Sequence, residues 1–103
     1  MEEKLSEREL CLKAARDCVC KDRENDYGSP EDNFITIADY WSSYLSKKHH
    51  KAITVSASDV AIMMTLMKIA RLTSGNFKGD SYIDACGYLA CGYEIEINEV
   101  KKR

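Results

Sequence analysis

Lys68 and Arg71 stand three residues apart at the end of a nearly unbroken apolar run, Val60 to Met67. After a short loop come Asp80 and Asp84, four residues apart, with Tyr88 four further on. On helices these spacings put the cations on neighbouring ridges and the carboxylates on one face with the tyrosine. Charges carried by an apolar segment persist when they pair, bind a metal or meet a ligand. Arginine forks two bonds onto a carboxylate or phosphate, whereas lysine offers a point charge. The chemistry on offer is either an internal ion-pair network or a site for an anion such as a nucleotide phosphate. Asp80 and Asp84 could also share a hard cation such as magnesium through oxygen ligands.

A second group lies upstream. Asp26-Tyr27-Gly28-Ser29, with Asn33 soon after, precedes a helix start. Helix starts collect anions, and a tyrosine can stack on a base. A plain turn and cap accounts for the same residues. His49-His50 is a weaker metal candidate, because adjacent histidines point apart and the lysines around them repel a cation. No Ser/His/Asp arrangement, P-loop or dinucleotide-binding glycine pattern is present. Five cysteines make an odd number, and Cys18-Val19-Cys20 lacks the spacing of the usual zinc or redox motifs. They are expected as free thiols filling small core spaces.

The elements that must position these groups read as helices. From about Ser6 to Arg23, Leu5, Leu12 and Val19 recur every seven residues, with Cys11, Ala15 and Cys18 alongside. Ser29-Pro30-Glu31-Asp32 is a helix-start signal. From there Phe34, Ile37, Ala38, Trp41, Tyr44 and Leu45 form one apolar face, and the basic run Lys47 to Lys51 suits the helix end. A third helix, capped by Ser56 or Ser58, runs to about Leu72. It is apolar on most faces and is expected to be central. The methionines and Trp41 are expected to pack. Ser74-Gly75-Asn76 stops the third helix. A fourth helix, with Asp80 as its cap, reaches about Asn98. A buried strand competes for Tyr93 to Val100. Gly87 and Gly92 inside the fourth helix each cost roughly 1 kcal/mol against alanine. The close approach of another helix, internal or across a dimer interface, would offset that cost.

Composition bounds the rest. With 103 residues the chain is expected to be one domain, 1–103. A chain of this size buries only roughly 65% of its unfolded surface. Small helical chains of that kind often gain core by oligomerising. The net charge of −2 argues against a general nucleic-acid binder. No apolar run is long enough to span a membrane, and the charged start Met1-Glu2-Glu3-Lys4 does not suit a signal peptide. A cytoplasmic location is expected.

The pattern Asp26-Tyr27-Gly28, Asn33-Phe34, Ile37-Ala38, Trp41, Asp59-Val60-Ala61, Lys68-Ile69-Ala70-Arg71, Asp80, Asp84 and Gly87-Tyr88 resembles a family of small phage and prophage proteins. The resemblance covers roughly residues 24 to 93 and implies no named activity. If the chain is phage-encoded, its cytoplasm is the host's. More distantly, the plan is similar to the all-α, MazG-like nucleoside triphosphate pyrophosphohydrolases. That likeness implies an antiparallel four-helix bundle and a magnesium site made of ExxE on one helix and ExxD on the next. Here Ser81-Tyr82-Ile83-Asp84 takes the second place, with serine where glutamate is expected. Lys68 and Arg71 occupy the preceding helix, and Glu31 and Asp32 are the acids left to substitute. The preferred expectation is a cofactor-free binder of a nucleotide-type small molecule, linear or cyclic, that sequesters a host signal. Lys68 and Arg71 would hold phosphate. Tyr27 or Tyr88 would stack or hydrogen-bond, and Asn33, Asp80 and Asp84 would read base or ribose. Two alternatives stand beside it. One is a magnesium-dependent pyrophosphohydrolase using Asp80, Asp84 and Glu31. The other is a protein–protein module built on the small-residue face of the fourth helix.

Overall fold

The computed structural model describes residues 4–22 and 30–102. The protein is all-α, with four α-helices and no strand among the described residues. The helices are α1 (Glu7–Asp17), α2 (Pro30–His49), α3 (Ala57–Leu72) and α4 (Gly79–Lys101). A π-helical segment, Cys18–Asp22, extends α1.

Each helix begins and ends for local reasons. Ser6 caps α1, its hydroxyl accepting the Glu9 N–H at 3.2 Å. Of the two serines offered for α3, Ser56 is the cap. Its hydroxyl accepts from Asp59 N while the Asp59 carboxylate accepts from Ser56 N, a reciprocal capping box. The end of α2 closes with Lys51 N–H donating to Ser46 O and His50 at φ 55°, the left-handed conformation of a Schellman motif. Gly75, at φ 94°, turns the chain after α3. The expected Ser29 cap lies outside the described residues.

α3 and α4 form an antiparallel hairpin. Ala61 faces Gly92 near one end, and Lys68 meets Asp84 near the other. The glycines permit the close approaches. A Cβ on Gly92 would come within 2.9 Å of Ala61 Cβ, and one on Gly87 within 2.9 Å of Val19 Cγ1. The small-residue face of α4 is thus used internally. α2 crosses the hairpin, burying Phe34 and Ala38 against Val60, Ala61, Cys91 and Ile95. Ser42 and Ser46 on α2 button down the link to α3. The Ser42 hydroxyl accepts Val55 N–H at 2.8 Å and donates to Val55 O at 3.2 Å. Ser46 does the same with Ile53 at 2.9 and 3.0 Å. α1 and the π-helical segment lean on the N-terminal half of α4.

Several expectations are corrected. The first α-helix stops at Asp17, and Leu5 and Leu12 of its seven-residue stripe are exposed. Ala15 is the residue α1 buries among those described, because its main packing partners there are α4 and the π-helical segment. Cys18 and Cys20 are exposed thiols; only Cys91 is buried. Asp80 is not a cap. Lys78 takes the N-cap position without a side-chain bond, and Asp80 is exposed in the first turn. α4 continues to Lys101, so Tyr93 to Val100 is helical. Tyr44 on α2 is exposed, and Lys48 lies over its ring at 5.8 Å. The largest departure concerns α3. Val60, Ala61 and Thr65 are buried, but Ile62, Met63, Leu66, Met67 and Ile69 face outward. Among the described residues, other helices cover α3 on one side only.

Candidate functional site

Lys68 and Asp84 define the centre of the predicted site. Lys68 Nζ lies 3.0 Å from Asp84 Oδ2 across the α3–α4 hairpin, with the lysine side chain 16% exposed and the carboxylate 38%. The pair follows from the antiparallel register: each residue sits near the loop end of its helix, on the side turned toward its neighbour. Burying an ammonium costs several kcal/mol unless a good partner offsets it. Here the partner stays half in water and keeps its second oxygen for another donor.

The flanks come from the same two helices and from two further elements. Tyr88, one turn after Asp84, is half-buried, with its ring 6.2 Å from that of Phe34 at a tilted 41°. This contact holds Phe34, near the start of α2, against the middle of α4. On the other flank the π-helical segment brings Cys18 and Val19 to Asp84, Gly87, Tyr88 and Cys91 around a hollow of about 90 Å³. Arg71, one turn beyond Lys68, is exposed and makes no ion pair among the described residues. The predicted residues Lys68, Asp84 and Tyr88 therefore share one region. Arg71 and Asp80 are exposed, each one turn along its helix from Lys68 or Asp84, and Asn33 is half-buried in the first turn of α2. Tyr27, with Asp26 and Gly28, lies outside the described residues.

The arrangement limits the chemistry. Glu31 is drawn to Lys102 Nζ at 3.7 Å, at the far end of α4. Among the described residues no three His, Cys, Asp or Glu side chains gather as metal ligands. The hollow beside Asp84 is smaller than the roughly 300–1,000 Å³ of small-molecule pockets, so a nucleotide there would lie largely across the surface. Larger openings lie elsewhere. One of about 480 Å³ at the start of α3 is lined by Ser56, Ser58, Ile95, Glu96 and Glu99, whose two acids suit a phosphate poorly. Another, of about 340 Å³, lies between α1 and α4 and is walled by Leu10, Cys11, Phe77, Tyr82 and Ile83. Sequence reasoning missed this second cleft. Its signal was Phe77 in a loop, 88% exposed, with Tyr82 five residues on and the rings 6.4 Å apart. At the same contact between α1 and α4, burial and the neighbouring Cys11 thiol push the Cys86 thiol above its ordinary range.

Comparison with known proteins decides the lineage. The chain belongs to the DUF6378 family. This is a domain of unknown function, and its pattern spans residues 10–96. The Gene 55 protein of Mycobacterium phage D29 is 39% identical over 83 residues, covering 81% of this chain and 51% of that protein. The Gene 55 protein of Mycobacterium phage L5 is 30% identical over 88 residues, covering 85% and 53% respectively. The chain thus spans about half the length of these relatives. The family is a phage one, as the sequence pattern implied. No solved structure matches the chain. No helix among the described residues is long and apolar enough to cross a membrane.

Proposed function

We propose that this DUF6378 chain is a phage-type binding protein for a nucleotide-like anion, working in the cytoplasm as a homo-oligomer. The observation that carries the reading is the Lys68–Asp84 pair, an ammonium held at the edge of the core by a carboxylate that still faces water. An apolar pair would fill the same space at lower cost. A charged pair beside a hollow, with an exposed arginine one turn away, is suited to exchanging a carboxylate for a phosphate oxygen. Tyr88 lines the same hollow as Asp84 and would meet a base or ribose edge, with Asn33 in the first turn of α2 as a second candidate. Capture rather than turnover fits the acids: Asp84 is engaged by Lys68, and Glu31 by Lys102. The MazG-like likeness, a magnesium-dependent hydrolysis using Asp80 and Asp84, and a role in sequestering a host signal belong to this proposal as its finer alternatives.

A thermal-shift screen with linear and cyclic nucleotides, with and without magnesium, tests the reading. Saturation a hundredfold above the dissociation constant stabilises a fold by about 2.7 kcal/mol. The shift is expected in the wild type and lost in Lys68→Met, with the ligand recovered unchanged. Absence of any shift across the panel would sink the ligand reading. Magnesium-dependent turnover lost in Asp84→Asn would replace capture by hydrolysis.

A further inference from the structure

The outer side of α3 carries Ile62, Met63, Leu66, Met67 and Ile69, each between 43% and 57% exposed. Successive steps of three and four residues join them into one stripe along the helix. No charge interrupts it from Val60 to Met67, and Lys68 is turned inward to Asp84. Exposed apolar area of this extent on one helix marks an interaction surface.

We infer that this stripe is covered by the same stripe of a second copy, packed antiparallel about a two-fold axis. The inference rests on the oligomeric half of the reading above and not on its ligand half. Two observations favour a second copy. The first is area. The chain exposes 7832 Å², against about 5,900 Å² for a compact monomer of its mass. Its radius of gyration is 16.1 Å, against about 13 Å for a compact chain of this length. That excess is spread over the whole chain, the α3 stripe included; a stable interface removes about 800 Å² per partner, which the stripe and its rim would supply together. The second is charge. A face that meets itself must avoid setting like charges together, and an uncharged stripe does so. Only its ends are charged, Asp59 at one and Arg71 near the other. A parallel pairing would oppose Asp59 to Asp59. The antiparallel pairing sets Ile62 against Ile69 and brings each Asp59 level with Leu72 of the second copy, beside Arg71. The five N–H donors of an arginine can serve this rim and an anion together.

Light scattering coupled to size-exclusion chromatography of the full chain over micromolar concentrations tests the inference. The wild type is expected at twice 11.7 kDa. Leu66→Lys, and independently Met67→Lys, is expected at the monomer mass with helical circular dichroism retained. Tyr40→Lys, on an exposed α2 position, is expected to remain a dimer. A wild type that is monomeric throughout overturns the oligomeric reading together with this surface. A dimer that survives both α3 variants overturns this surface and leaves oligomerisation standing elsewhere.

Discussion

At the scale of single residues, Lys68 and Asp84 do not contribute symmetrically. Lys68 is nearly buried and its partner is not. Removing the carboxylate strands a charge in poor contact with water, whereas removing the ammonium leaves a carboxylate that water can reach. Asp84→Asn is therefore expected to cost about 1–3 kcal/mol and Lys68→Met well under half of that, as read by urea denaturation. Equal losses would mean that Lys68 is better solvated than its exposure indicates. This asymmetry also makes Lys68→Met the cleaner probe of ligand binding, because the fold survives it. The residue types at this site were legible in the sequence: an acid and a base at helical spacings near an apolar run. Which cation pairs was not. Lys68 and Arg71 differ by one turn, and the choice depends on where α4 passes.

At the scale of elements, α4 is organised by its two glycines. The cost of Gly92 in a helix interior is offset by the approach of Ala61. Gly92→Ala gains roughly 1 kcal/mol of helix propensity but sets two Cβ atoms 2.9 Å apart. The Ala61 Cβ is fixed rigidly to the α3 backbone, so the hairpin must open. A net destabilisation of about 1–2 kcal/mol is expected in thermal melts. Gly87→Ala meets the end of a valine side chain instead and is expected to cost less. An unchanged Gly92→Ala melt would mean that α3 and α4 slide freely. Helix existence was legible throughout, since caps, glycines and periodicity are local. Local signals competed at two places in α4. Asp80 is a good cap by type, yet the chain already turns helical at Gly79. Ile95-Glu96-Ile97 alternates like a strand, yet Ile95 buries as part of a helical face that also holds Cys91 and Gly92.

At the scale of the whole molecule, the four helices do not share one enclosed core. The chain measures 61 × 38 × 24 Å, and its buried cluster is confined to where α2 crosses the hairpin. Such a chain gains stability from whatever covers α3. If that is a second copy, melting temperature is expected to rise with protein concentration, because association stabilises by mass action. Calorimetric scans across a wide dilution series check this, and a concentration-independent melt counts against association. The apolar run of α3 was visible in the sequence and was read as central. The run states only that α3 prefers to be covered. Whether α1, α2, α4 or another molecule covers it is a long-range matter, outside what a local window contains.

The sequence by itself determined the helical class, the number of helices, the serine cap of α3, the need for close packing at Gly87 and Gly92, and membership of a phage lineage. Each of these is written in short-range spacing or in residue identity. Tertiary structure decided which side of α3 is buried, which cation Asp84 holds, that Glu31 goes to Lys102, and that the hollow beside Asp84 is small. Those outcomes depend on crossing angles and register between helices, which are set by the sum of many side-chain contacts rather than by any one stretch of chain.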